Sequence, residues 1–70
     1  MQKYYTLFIK EAATGEWTDM FGSYKRADCV EEKYAYEFDP NVAAMRIVAT
    51  DGTEDGLRAA FRKLPHDKKS

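Results

Sequence analysis

The run Tyr4-Tyr5-Thr6-Leu7-Phe8-Ile9-Lys10 has the aromatic and β-branched content of a strand, yet it does not alternate between apolar and polar residues. Successive side chains of a strand point to opposite faces, so Tyr5, Leu7 and Ile9 look one way while Tyr4, Thr6 and Phe8 look the other. Large groups stand on both faces, and a cover over one face leaves rings on the other. In a chain of seventy residues this is a severe constraint. Only one small core can be built, hiding about 60% of the surface that the unfolded chain exposes and contributing roughly 3–5 kcal/mol net.

Glu11-Ala12-Ala13-Thr14-Gly15 follows, with a glycine suited to a left-handed turn position, so the strand enters a hairpin that returns as Glu16-Trp17-Thr18-Asp19-Met20-Phe21 and stops at Gly22. Ser23 is a natural N-cap for a helix over about 24 to 37, in which Ala27, Val30, Tyr34 and Phe38 recur at steps of three and four. Asp39-Pro40-Asn41 ends it, because proline disfavours helical geometry in the residue before it. Ala44 to Thr50 reads as a third strand closed by Asp51-Gly52. Thr53 then caps a last helix with Glu54 and Asp55 in its first turn, Arg62 and Lys63 in its last, and Leu57, Ala60, Phe61 and Leu64 as its buried stripe before Pro65.

The order β-β-α-β-α predicts an α+β domain over residues 1–64, with a polar tail at 65–70. A right-handed crossover from the second strand to the third makes the sheet antiparallel in the order 2-1-3. Both helices are expected on one face. The uncovered face then carries aromatic groups, and the hairpin register decides which, because a one-residue slip moves every side chain across the sheet. A loop of three or five residues sends Trp17 and Phe21 inward with Leu7 and Ile9 and leaves Phe8 beside Met20 outside; a four-residue loop leaves Tyr4, Phe8, Trp17 and Phe21 outside. Tyr4, Phe8, Trp17, Met20 and Tyr36 are the candidate anchors of a partner surface, Tyr36 because it lies opposite Ala27 on the helix wheel.

The net charge is −1, but it is unevenly spread. Residues 11–55 hold eleven of the twelve acids against four bases, whereas residues 58–70 hold five bases and one acid. The chain is expected to be a dipole with an acidic body and a basic C-terminal end. A single cysteine, Cys29, allows no internal disulfide and fits a reducing compartment. With no apolar run suited to a signal peptide or a membrane span, the expected location is the cytoplasm.

Catalytic and metal-binding patterns are not assembled. Cysteine catalysis needs a base, and the only histidine is His66 in the tail, so Cys29 reads as a small, partly buried helix residue. One cysteine and one histidine do not supply a zinc site. Asp51-Gly52-Thr53-Glu54-Asp55-Gly56 imitates the start of a calcium-binding EF-hand loop, but its twelfth place is Arg62 where a bidentate glutamate is wanted, and a turn leading into a capped helix explains it better. No pair among Glu16, Asp19, Asp28, Glu31 and Glu32 is placed in a cleft, and the four glycines fall at turns or helix starts. The expectation is no enzyme, no cofactor, no metal and no small-molecule substrate.

Binding remains. The first reading is a protein-binding module with an apolar centre and a charged rim. In a sharper form, Asp19, Asp28, Glu31, Glu32, Glu37 and Asp39 stand where phosphates lie in the basic groove of a nucleic-acid-handling protein. In size and α+β organisation the chain resembles the small inhibitors that phages and plasmids aim at host defence enzymes, CRISPR complexes among them; the resemblance is to a class and rests on no motif. The alternative is a single-stranded nucleic-acid-binding domain in which sheet aromatics stack on bases and Arg58, Arg62, Lys63, Lys68 and Lys69 hold phosphates. The net charge and the absence of the glycine-aromatic signatures of that class rank it second. A homodimer through the uncovered sheet face is compatible with either reading.

Overall fold

The structure, a computed structural model, describes residues 3–65. Five elements follow one another: β1 (Tyr4–Glu11), β2 (Trp17–Ser23), α1 (Arg26–Ala35), β3 (Val42–Thr50) and α2 (Glu54–Arg62). The strands form one antiparallel sheet in the order β2-β1-β3, the expected α+β topology. Among the described residues no helix is long and apolar enough to cross a membrane.

Local chemistry explains most boundaries. Gly15 adopts φ 72° and donates its N–H to Glu11 O at 2.7 Å, and Glu11 N–H donates to Glu16 O at 2.9 Å, closing the hairpin. Thr53 caps α2, its hydroxyl accepting from Gly56 N–H at 3.0 Å while donating to Asp51 Oδ1 at 2.7 Å. Bonds from the Thr53 hydroxyl and then its backbone N–H hold the exposed Asp51 carboxyl below its ordinary pKa. Ser23 is not the cap of α1, which starts at Arg26 behind Lys25 with no side-chain cap. It ends β2 instead, accepting from Lys25 N–H at 3.1 Å and donating to Asp28 Oδ2 at 2.7 Å, so that it ties the strand to the first turn of α1.

The placement of the helices differs from expectation. Thr6, Leu7, Phe8 and Ile9 in the central strand are all buried, which requires cover on both faces. On the even-numbered face Phe8 packs with Trp17 of β2, Ala44 and Val48 of β3, and Leu57, Ala60 and Leu64 from the α2 segment. On the odd-numbered face Leu7 sits between Phe21 and Ile47. Leu7 is fully buried there, as is Cys29 of α1, a helix that packs against all three strands. The helices therefore lie on opposite faces, not together on one. The β2–β3 crossover carries α1 over one face, and the turn at Gly52, with φ 83°, returns α2 across the other.

The hairpin register combines the two expected alternatives. Leu7 faces Phe21 and Phe8 faces Asp19, so Met20 is an extra residue, a β-bulge. The bulge puts Trp17 on the face of Phe8 and Phe21 on the face of Leu7. A second irregularity, in the β1–β3 pairing, sets Lys10 opposite Ala44 but Glu11 opposite Val42.

Thr6, buried on the α2 side, has no hydrogen-bond partner for its hydroxyl among the described residues. A buried unpaired hydroxyl costs free energy that an apolar group of similar shape does not. Thr6→Val is expected to stabilise the domain by about 1 kcal/mol, read in urea unfolding as a higher midpoint at unchanged slope.

Candidate functional site

The five aromatic and methionine anchors are not brought together. Phe8 and Trp17 are 1% and 5% exposed, and neither is available to a partner. Phe8 leans on Phe61 with ring centroids 6.2 Å apart, and Trp17 Nε1–H donates to Pro65 O at 3.3 Å, so its polar edge is satisfied inside the fold. Both are corrected from surface anchors to core, because α2 covers the face on which they lie. Tyr4 is half-buried, its hydroxyl set against Gly22, where a Cβ would collide with it, and its ring edge-on to Tyr24 at 5.0 Å. Met20 is exposed at the bulge and Tyr36 is half-buried on the α1 side.

Met20 and Tyr36 do meet, as walls of an open cavity of about 330 Å³ at the hairpin end of the odd-numbered face. Ile9 and Val42 contribute apolar lining, and Glu11 and Asp39 contribute carboxylates. Asp39 is held by its own turn, Oδ1 accepting from Asn41 N–H at 2.9 Å and its backbone O from Val42 N–H at 3.1 Å.

The acidic set divides. Glu31 and Glu37 are exposed on the α1 segment, Glu32 is half-buried, Asp28 is engaged by Ser23, and Asp39 lines the cavity. Asp19 pairs opposite Phe8 and so belongs to the other side of the sheet, beside Arg58 of α2. Arg58, Arg62 and Lys63 are exposed on the α2 segment, whereas His66, Lys68, Lys69 and the rest of the tail from residue 66 lie outside the described residues. With a helix on each face, the sheet offers no open aromatic platform to nucleotide bases.

The residues that sequence reasoning missed are those it assigned to the core of α1. Of the stripe Ala27, Val30, Tyr34 and Phe38, only Val30 is half-buried; Tyr34 is 65% exposed and Phe38 92%. The helix is turned so that Cys29 points inward, its Sγ–H donating to Tyr5 O at 3.4 Å, with half-buried Lys33 and Tyr36 on the same side. The bond from Ser23 to Asp28 fixes this rotation at the first turn, and the small Cys29 fits over a sheet that already supplies Leu7, Phe21 and Ile47. After Ala35 the chain keeps winding through tighter bonds, Tyr36 N–H to Lys33 O, Glu37 N–H to Tyr34 O and Asp39 N–H to Tyr36 O. Phe38 is thus carried past the helix end into solvent.

Exposed Tyr34 and Phe38 lie in an acidic stretch of the chain, with Glu31 and Glu37 near them in sequence: residues 26–39 hold five carboxylates against two bases. Among the described residues no three side chains of histidine, cysteine or carboxylate type are grouped to hold a metal. No protein-family model matches the chain, and no curated protein or solved structure does so.

Proposed function

We propose that this chain is a non-enzymatic protein-binding module that docks through the outer side of α1 and the turn after it, with Tyr34 and Phe38 as anchors and Glu31 and Glu37 as a charged rim. The observation that carries the reading is the exposure of two large rings at helical spacing that the monomer leaves outside its own core. Burying a phenylalanine is worth about 1.5–3 kcal/mol, so a partner with an apolar cleft gains by covering Phe38. A helix and the turn that follows it can lay their apolar groups into a groove, a common recognition mode, with Tyr34 on α1 and Phe38 in the turn after it as the two anchors here. The acidic stretch selects a cleft with basic edges, which nucleic-acid-handling proteins present. An inhibitor of phage or plasmid type, working in the cytoplasm by occupying such a groove, is the form of the proposal that uses all of these features. The single buried thiol fits that reducing location.

The test places a photo-reactive residue at the exposed position 35 and compares capture by the chain otherwise unmodified with capture by the same chain carrying Tyr34→Ser/Phe38→Ser or Glu31→Lys/Glu37→Lys. A single cross-linked protein is expected, with affinity lowered at least about 30-fold by the first pair, as for hot-spot anchors, and lowered by the second through a charge repulsion that added salt relieves. Capture that ignores all four positions but is lost on reversing Arg58 and Arg62, or salt-sensitive retention of single-stranded nucleic acid in its place, overturns the proposal.

A further inference from the structure

Both irregularities of the sheet feed one place. The β1–β2 bulge is Met20, and the β1–β3 irregularity sets Glu11 opposite Val42; all three residues line the cavity closed on its other side by Tyr36 and Asp39. Bulges re-aim side chains and are over-represented beside binding sites. Two of them converging in a three-stranded sheet is more than hairpin closure requires.

We propose that this cavity is a binding pocket for a cationic side chain, an arginine of the protein partner. Its chemistry is one-sided. Ile9, Met20 and Val42 give an apolar lining for a hydrocarbon stem, Glu11 and Asp39 give two carboxylates that accept from Thr14 Oγ1–H and Asn41 N–H, and among the described residues no lysine or arginine lines it. At neutral pH the carboxylates of Glu11 and Asp39 accept hydrogen bonds and repel an anion, while the hydroxyl and amide groups of Thr18, Tyr36 and Asn41 carry no charge to offset them, so the lining favours a cation. A guanidinium presents five donors in a planar fork, is weakly hydrated, and stacks on aromatic rings such as Tyr36. The volume of about 330 Å³ is at the small end of ligand sites, suited to a side chain more than to a cofactor. Asp39 directly follows the exposed anchor Phe38, which puts the pocket at the margin of the proposed docking surface. The identity of the cation's bearer rests on the protein-binding reading; the pocket's preference for a guanidinium does not.

The test titrates the full chain with a blocked Gly-Arg-Gly peptide, following backbone amide resonances, beside the same peptide carrying citrulline, a neutral near-isostere of arginine. Saturable shifts at Glu11, Tyr36, Asn41 and Val42 are expected with arginine, and binding at least about ten-fold weaker with citrulline. Asp39→Asn, which keeps the oxygen that accepts from Asn41, and Glu11→Gln are each expected to weaken arginine binding by a similar factor while the melting temperature holds. The inference is overturned by shifts that do not saturate, by equal shifts with citrulline, or by shifts spread over distant acids such as Asp19 and Glu54. If the peptide fails while capture still depends on Tyr34 and Phe38, the pocket falls and the docking surface stands; the opposite result separates them the other way.

Discussion

Trp17→Ala is expected to leave much of the chain unfolded at 25 °C. Tryptophan-to-alanine changes in packed cores cost about 3–5 kcal/mol, which equals the roughly 3–5 kcal/mol that a domain of this size has to lose. Trp17 joins β2 to α2: its ring lies in the cluster with Phe8, Ala60 and Leu64, and its Nε1–H reaches Pro65 O beyond the helix. Removing it opens a cavity and also frees the end of the α2 segment. Far-ultraviolet circular dichroism should show the loss directly, and Phe8→Ala should behave alike. Trp17→Phe keeps a ring and gives up the hydrogen bond, for a loss nearer 1 kcal/mol. Phe38→Ser is the contrasting case, within about 0.5 kcal/mol of the unmodified chain, as surface substitutions usually are. A folded, stable Trp17→Ala chain would return Trp17 to the surface and undo the assignment of binding to α1.

The elements were legible because each rests on a local signal, aromatic and β-branched runs for strands, Gly15 for the hairpin, Thr53 for the cap, Pro40 for the break, and the strand order followed from the handedness of the crossover. The sidedness was not. Leu7 and Phe8 are consecutive and both buried, the pattern of a strand covered on two faces; taken with a one-sided sheet, the same residues suggested leftover rings. The bulge at Met20 has no side-chain signature, and it moves Phe21 to the opposite face from Trp17. No single loop length could have reproduced that register.

In α1 the periodicity was genuine but its direction was not encoded locally. Ala27, Tyr34 and Phe38 form an apolar arc, and the arc that turns inward, with Cys29, Lys33 and Tyr36, is the less apolar of the two. Tertiary bonds decided the matter, from Ser23 to Asp28 and from Cys29 to Tyr5. An apolar helix face that the fold does not use is informative for that reason: it marks where cover is to be sought outside the chain. The acidic residues were legible as a group, yet only the sheet register shows that Asp19 stands apart from Glu31 and Glu37.

Cys29 reports on the same balance from the opposite face. Its thiol is fully buried and bonded to Tyr5 O, and its pKa is raised, first by burial and next by the neighbouring Asp28 carboxylate. A thiol reagent needs the exposed thiolate, so labelling of the folded chain is expected to run about 100- to 1,000-fold or more slower than labelling of the unfolded chain, if opening is global and worth roughly 3–5 kcal/mol. The pH dependence has a definite sign. A thiol whose folded pKa is raised holds its proton longer when folded than when unfolded, so stability falls as pH rises above the unfolded cysteine value of about 8.5, and protection falls with it. Trp17→Ala acts on the other helical layer, but both layers rest on β1, where Leu7 and Phe8 point to opposite sides. If the two layers form one cooperative unit, that substitution raises the Cys29 labelling rate in step with the fraction of chain unfolded, up to the rate of the unfolded chain itself. A labelling rate that Trp17→Ala leaves unchanged would mean that α1 opens by itself, and the segment bearing Tyr34 and Phe38 would then be a hinged flap and not a face of a rigid domain.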